Sequence, residues 1–468
     1  MEVELKTSNT NIMKVIPVVE GTNMISIPEW MMVKNQVHYF SPNEQTPSII
    51  TGLGVREQLS YEDLRNAAGE TARFVKKMNT EALQISFEFV KETKLELEKV
   101  ITAFVEGWIL GRCEFQVYRT EVKEILPNRL IVNLEKTKEI EKAIQVGIMN
   151  ANSQNFARDL CNLDPKNLNP DAYVEKIKEQ FEGHEINVHI HEEKKLEEMK
   201  MNGILSVGRG SRYSSYLAEI QLCTDPTQPH ITLIGKGVTF DTGGINLKKG
   251  RLLSGMRVDM GGSAAVFGAV ELLKLRNEPV NITALLPIVE NTPDANAFLP
   301  GEVIHYSNGL HVQVGNTDAE GRLIMADALL YAERFKSEII IDIATLTGSI
   351  YSALGYKMAG VYGDEEVTES LKQIGNELGE YVWQMPLIEE YEQMLNSEYA
   401  DISNNTTMTQ AAHITAALFL RKFVPQVKWA HIDMAGTAES PITKGYHIKG
   451  PSGFGVRLLA DFIINHNK

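Results

Sequence analysis

Two carboxylates two residues apart, Asp318 and Glu320, lie in the stretch Gly315-Asn316-Thr317-Asp318-Ala319-Glu320-Gly321-Arg322-Leu323, with an arginine two residues further on. An apolar strand-like run, His311-Val312-Gln313-Val314, leads in, and a helix-like run from Leu323 to Phe335 leads out. Residues i and i+2 of an extended segment point to the same side. The two acids are therefore expected to converge at the carboxyl end of a strand, where open α/β sheets hold their ligands. Two anions held together repel unless a cation shares the place, so the pair reads as a metal site. The competing reading is an acidic loop that caps a helix, its acids favoured by the helix dipole.

A second segment carries the same chemistry. Leu233-Ile234-Gly235-Lys236-Gly237-Val238-Thr239-Phe240-Asp241-Thr242-Gly243-Gly244 is a buried strand that runs into a loop with four glycines, one lysine and one aspartate. Glycine lets a backbone turn sharply or approach a ligand closely. Lys248 and Lys249 follow, then Met256-Arg257-Val258-Asp259-Met260-Gly261-Gly262-Ser263 puts another aspartate just before a helix of small residues. Taken singly, each aspartate reads as a cap or turn and each lysine as a surface charge. Taken together, Asp241, Asp259, Asp318 and Glu320 fall at strand ends or loops of what reads as one parallel sheet, and two divalent cations would cancel their four negative charges. An oxygen-rich donor set with few histidines suits Mg²⁺, Mn²⁺ or Zn²⁺. On chemistry alone, Lys236 reads as a group that stabilises a substrate oxygen.

Three other segments lack their full signatures. Gly235-Lys236-Gly237 has neither the glycine loop nor the following Ser/Thr of a phosphate-binding loop. His191-Glu192-Glu193-Lys194-Lys195 begins like a zinc-protease helix, but lysine stands where the second imidazole is needed. Gly208-Arg209-Gly210-Ser211 has the wrong flanks for a nucleophile elbow.

The elements that must position these residues alternate in type. Leu83, Ile85, Phe87 and Phe89 alternate with polar residues and predict a strand, while Val100 to Ile109 has helical spacing. Arg129 to Leu134 reads as a strand, and Lys136 to Cys161 as one long helix that connects a small N-terminal domain to a larger C-terminal one. Beyond it, the runs at His230–Ile234, Val280–Leu286, Glu338–Ile343 and Trp429–Met434 read as buried strands, with helices at Ser263–Leu275 and Leu323–Phe335. Such alternation predicts an α/β fold with a mixed, mainly parallel central sheet flanked by helices. The expected organisation is an α/β domain over 1–137, a connecting helix over 138–162 and a catalytic domain over 163–468.

Composition narrows the function. A chain of 468 residues, 43% hydrophobic and 23% charged, fits two or three ordinary globular domains. The net charge of −15 argues against nucleic-acid or anionic-membrane partners, which need clustered bases. Cys113, Cys161 and Cys223 are odd in number and widely spaced, so no disulfide framework is expected. Met1-Glu2-Val3-Glu4-Leu5-Lys6 lacks the basic and apolar regions of a secretory signal, and no apolar run has the length of a membrane span. These features point to a cytoplasmic protein.

The chain resembles the leucyl aminopeptidase family, the M17 metallopeptidases. Asn316-Thr317-Asp318-Ala319-Glu320-Gly321-Arg322-Leu323 matches the family signature without a change. The lysine–aspartate loop, Asp259-Met260-Gly261-Gly262, Asp342-Ile343-Ala344-Thr345-Leu346-Thr347-Gly348 and Trp429-Ala430-His431-Ile432-Asp433 resemble family blocks in the same order. The resemblance covers roughly residues 150–468; before that it is limited to pieces such as Glu106-Gly107-Trp108-Ile109-Leu110-Gly111. It implies a macro-like N-terminal domain and a homohexamer built as two stacked trimers. It implies two divalent ions, Zn²⁺ or Mn²⁺ ahead of Mg²⁺. Lys236, Asp241, Asp259 and Glu320 would surround one ion, and Asp241, Asp318 and Glu320 the other. As a ligand Lys236 must be neutral, which burial beside two cations would achieve.

The implied activity is hydrolysis of the N-terminal bond of peptides, with a preference for leucine and other apolar residues. Two metals lower the pKa of a shared water toward neutrality. Lys248 would stabilise the oxyanion. Arg322 stays protonated and cannot act as a base; in the family it is thought to hold a bicarbonate that shuttles the proton. Met256, Thr345 and Leu346 match positions around the side-chain pocket. The chain departs from the family pattern at Thr242, where serine is common, at His413, where glycine is common, and at Lys249, where proline often follows the catalytic lysine. That last change leaves open which of Lys248 and Lys249 faces the substrate, although spacing from Lys236 favours Lys248. Two other function classes stand beside this one: a two-metal phosphoesterase, which also uses paired carboxylates, and a DNA-binding regulator, since some relatives in the family also bind DNA, although the net charge of −15 argues against it.

Overall fold

Apolar runs bounded by turn residues become strands in both halves of the chain. The computed structural model describes residues 2–6, 12–21, 27–41, 47–78, 80–121, 129–406 and 410–467. Two compact units emerge: Met1–Asn155 with Glu377–Gly379 and Ser440–Gly450, and Phe156–Asn376 with Glu380–Glu439 and Pro451–Lys468.

In the first unit, β1 (Glu2–Leu5), β2 (Lys14–Val19), β3 (Val37–Phe40), β4 (Ser48–Gly54), β5 (Ala82–Ile85) and β6 (Arg129–Val132) form a sheet in the order β1-β6-β5-β2-β4-β3. The paired strands run parallel except β3, which is antiparallel to β4. Helix α1 (Tyr61–Val75) starts on a capping box, in which Ser60 and Asp63 each bond the other's backbone N–H. It packs on α2 (Leu97–Arg112), whose Val100, Phe104 and Trp108 are fully buried. The strand predicted over Leu83–Phe89 stops at Ile85. Leu83, Gln84 and Ile85 are all buried because β5 lies inside the sheet, so alternation was not its true signal. Phe87 and Phe89 instead flank the start of a 3-10 helix, Glu88–Glu92, and Phe87 packs edge-on against Phe104 at 5.6 Å.

Helix α3 (Lys138–Asn162) is continuous and passes from one unit to the other after Asn155. In the second unit, α4 (Pro170–Phe181), capped by Asn169, precedes β7 (Asn187–His191), and two short helices, α5 (Glu193–Glu198) and α6 (Asn202–Gly208), follow. The large sheet adds β8 (Tyr216–Cys223), β9 (Ile231–Gly235), β10 (Gly237–Asp241) and β11 (Asn281–Asn291). Two further strands, β12 (Val303–His305) and β13 (His311–Gln313), stand apart from it. It is completed by β14 (Ile339–Ala344), β15 (Ala359–Gly363) and β16 (Val382–Gln384), and, after β17 (Ile402–Ser403), by β18 (Lys428–Asp433). Its order is β16-β15-β18-β14-β9-β11-β8-β7, with β10 also on β11. The centre is parallel; β8 is antiparallel to β11 and β7, and β15 to β18. The fold is thus mixed α/β with a mainly parallel sheet, as the alternation predicts.

Helices cover both faces. Ile234, Leu285 and Ile340 share one core cluster with Leu323, Ile324 and Leu329 of α8 (Gly321–Ala332). Their strand neighbours Leu233, Ala284 and Ile341 point the other way, toward α7 (Gly261–Arg276), which packs on β9, β11 and β14. Every residue of α7 from Gly261 to Leu273 is buried, as befits a helix apolar all round.

One detail of the strand reading is corrected. The strand before the Asp318–Glu320 segment, β13, does not belong to the large sheet; it forms a small one with β12 and β17. Asp259 stands just before α7, as expected, and follows a 3-10 helix, Gly250–Val258. Asp241 closes a strand of the large sheet, whereas Asp259 and Glu320 stand at the starts of helices. Among the described residues no helix is long and apolar enough to cross a membrane, and Cys161 and Cys223 form no disulfide.

Candidate metal centre

Lys236 stands at a step in the sheet. The long strand β11 pairs β9 through Ile282–Leu285 and β10 from Ile288 onward, and Lys236 is the residue between those two partners. Its backbone is tied on both sides, donating to the Ile343 carbonyl at 3.1 Å and accepting from Ser263 N at 2.8 Å. The side chain is buried, and its Nζ lies 2.8 Å from Asp259 Oδ2, 2.8 Å from Glu320 Oε1 and 3.1 Å from the Thr345 carbonyl. Burial alone would lower the lysine pKa, but Asp259, Glu320 and Asp241 overturn that and raise it.

Asp241 closes β10 and is buried. Its Oδ1 accepts from Gly243 N and from Asn291 Nδ2, both at 2.8 Å, and its Oδ2 meets Lys248 Nζ at 2.8 Å. Gly243 has φ +86, and a Cβ there would stand 2.8 Å from Asp318 Oδ1, so only glycine fits. Asp259 accepts from Thr345 Oγ1 at 2.8 Å. Burial, followed by the neighbouring acids, lifts Asp241 well above the usual carboxylate range; burial also lifts Asp259, to about 6 despite Lys236.

Asp318 and Glu320 do not converge through an extended segment, as the spacing suggested. The chain turns at Asp318, whose N–H donates to Asn316 Oδ1 at 2.8 Å, and Glu320 already has helical dihedrals at the start of α8. The turn separates their contacts: Glu320 faces Lys236, while Asp318 meets Lys248 Nζ at 2.5 Å. Burial raises the Asp318 pKa; for Glu320 burial is outweighed by Lys236 and Lys248, which lower it. Lys248 thus bridges Asp241 and Asp318, whereas Lys249 is exposed. Arg322 is buried in the first turn of α8 and donates from Nη1 to the Asn404 carbonyl at 2.8 Å. Burial pulls its pKa to about 10, still a cation near neutrality.

The structure brings Lys236, Asp241, Asp259 and Glu320 together, with ligand atoms of the three acids within 4.8 Å of one another. Asp318 joins them through Lys248. Thr345 is at the centre through its hydroxyl and carbonyl; Leu346 is half-buried behind it, its N–H on Asp433. Met256 lies in the 3-10 helix before Asp259, its carbonyl accepting from Asp259 N at 3.3 Å. The donor set fits a divalent cation: it is oxygen-rich and buried, and Glu320 Oε2 is buried without a hydrogen-bond partner. The two ammonium groups supply the positive charge such ions would bring.

Several polar residues of this region were not singled out from the sequence. Asn291 donates to Asp241 and to the Thr317 carbonyl, locking the two acidic loops together. Thr317 bonds Gly243 O and Asn246. Asp433 accepts from Leu346 N, Thr347 N and Thr347 Oγ1. Asn291 had one legible signal, a polar pair, Glu290-Asn291, closing the apolar run Ala284–Val289.

Comparison with known proteins fits this geometry. Residues 155–460 match the catalytic domain of the cytosol aminopeptidase family, and residues 36–122 match its N-terminal domain. A "Probable cytosol aminopeptidase" of Geobacter sp. (strain M21) is 35% identical over 421 residues, covering 89% of this chain and 85% of the relative. Another, of Chlorobium limicola, is 38% identical over 434 residues, covering 88% and 85%. Among solved structures, the bottromycin maturation enzyme BotP in complex with Mn superposes with a TM-score of 0.90 at 28% identity, covering 98% of this chain and 100% of that one. The chain belongs to the cytosol aminopeptidase family and is accordingly a metal-dependent aminopeptidase. The comparisons do not favour the phosphoesterase and DNA-binding readings.

Proposed function

We propose that the chain is a two-metal aminopeptidase that releases N-terminal leucine and other apolar residues from peptides. The observation that carries this is the buried cluster of Asp241, Asp259 and Glu320, in which Glu320 Oε2 lacks a hydrogen-bond partner. Lys236, Asp241, Asp259 and Glu320 would hold one ion, and Asp241, Asp318 and Glu320 the other, with Lys236 acting as a neutral amine. When bound, divalent ions supply Lewis acidity to a scissile carbonyl and lower the pKa of water.

The protein's own groups do the rest. Lys248, held between Asp241 and Asp318, is the cation that stabilises the developing oxyanion. Arg322 stays charged and holds an anion, bicarbonate in this reading, that moves the proton. Met256, Thr345 and Leu346 line the side-chain pocket. Zn²⁺ or Mn²⁺ are the favoured ions, Mg²⁺ a third; the BotP complex with Mn supports manganese. The reading extends to a cytoplasmic homohexamer acting on peptides, with the domain boundaries expected from the sequence.

The test is a panel of leucine and other aminoacyl anilides, free and N-acetylated, assayed after chelation and re-addition of each metal. Free leucine anilide should be cleaved, chelator should abolish cleavage and Zn²⁺ or Mn²⁺ restore it. Equal cleavage of the N-acetylated substrate would overturn the reading.

A further inference from the structure

Asn404 stands just beyond β17, 88 residues from Asn316, and is fully buried. A side-chain amide offers two donor and two acceptor positions, and here all four serve one loop. Its Oδ1 accepts from Gly315 N at 2.8 Å and from Asn316 N at 3.2 Å. Its Nδ2 donates to Asn316 O at 2.8 Å and to Ala319 O at 3.2 Å. Its own carbonyl accepts from Arg322 Nη1 at 2.8 Å.

The arrangement continues a sheet by other means. β13 and β17 pair in register up to Gln313 and Ser403, and Asn404 N donates to Gln313 O at 2.9 Å. Beyond that point the chain from Gly315 to Ala319 leaves regular structure, and its buried peptide groups still need partners. Asn404 supplies them. The approach is close: a Cβ on Gly315 would stand 2.7 Å from Ser403 Oγ. Asp318 lies inside the loop so held, Glu320 directly follows it, and Arg322 is tied to the same residue.

We propose that Asn404 is the positioning residue of the metal centre: it sets the backbone from which Asp318 and Glu320 reach their ions, and it fixes the Arg322 guanidinium relative to them. This rests on reading the centre as a divalent-ion site. Removing the amide frees the loop. Replacing it with a carboxylate sets an oxygen against the carbonyls of Asn316 and Ala319.

The experiment is titration of Mn²⁺ into chelator-stripped protein, followed by electron paramagnetic resonance, for wild type, Asn404→Ala, Asn404→Asp and Asp318→Asn. Both Asn404 variants should bind at least one ion 10–100-fold more weakly, roughly the loss expected of outer-shell groups. Raising Mn²⁺ should restore kcat in them and not in Asp318→Asn. Wild-type affinity in a folded Asn404→Asp would overturn the proposal. So would failure of both Asn404 variants to fold, which would make Asn404 a residue of the fold alone. If wild type takes up no Mn²⁺, or Asp318→Asn binds as wild type does, the divalent-ion reading itself fails and the proposal falls with it.

Discussion

The ammonium of Lys236 lies 2.8 Å from Oε1 of Glu320, and both side chains are buried. A junction between two strands and the first turn of a helix meet at that contact. A lysine is seldom buried this fully unless acids share its site. The contact also leaves no spare volume, because the residue after Glu320 is Gly321.

A Cβ on Gly321 would stand 2.7 Å from Lys236 Cε. Gly321→Ala should therefore displace the lysine or its partner acid. Overpacking of this kind costs roughly 1–3 kcal/mol, so the variant should fold with a lowered melting temperature and lose most of its metal-dependent activity. Thermal melts alongside leucine anilide turnover check this.

Lys248 and Lys249 should separate cleanly. Lys248 Nζ is held by Asp241 and Asp318, while Lys249 is exposed. Lys248→Met should lower kcat by about 10²–10³-fold, the usual cost of losing an oxyanion stabiliser. Lys249→Met should leave kcat within about twofold. The steady-state kinetics of the two variants decide between them.

A buried pair outside the centre should govern stability against pH. His431 Nδ1 lies 2.5 Å from Asp342 Oδ1, and Trp429 Nε1 donates to the other oxygen at 2.7 Å. Burial disfavours the imidazolium, but Asp342, with Asp433, outweighs burial and the repulsion of Arg322, and raises the histidine pKa above its ordinary 6.5. The Tyr362 ring stacks on it at 5.7 Å. A raised histidine pKa contributes stability that is fully present below about pH 6.5 and is lost as pH climbs through the folded-state value. Asp342→Asn should lower stability at pH 6 by about 3 kcal/mol and flatten the decline above it. Denaturant midpoints from pH 6 to 9 for both proteins test this.

Much of this was legible in the sequence. The apolar strands β9, β14 and β18 and the helices α7 and α8 were expected near their observed positions, since long buried runs leave few alternatives. The acids and lysines of the centre were conspicuous as charges in glycine-rich loops. Their geometry was not. Asp318 and Glu320 meet their partners through a turn and a helix start, because Asn316 and Asn404 claim the loop backbone. Those contacts, like Asn291 to Asp241, join residues tens of positions apart and leave no local pattern. The same holds for Glu377–Gly379 and Ser440–Gly450, which join the first unit from far along the chain.

In the two-metal reading proposed above, Asp241, Asp259, Asp318 and Glu320, with Lys236, hold two divalent ions. The most direct measurement is the Zn²⁺ content of the protein after equilibrium dialysis, for wild type and for Asp318→Asn. Wild type should carry two ions per chain and the variant one, with hydrolysis of leucine anilide lost alongside the second ion. One ion or none in wild type, or two retained in Asp318→Asn, would contradict it.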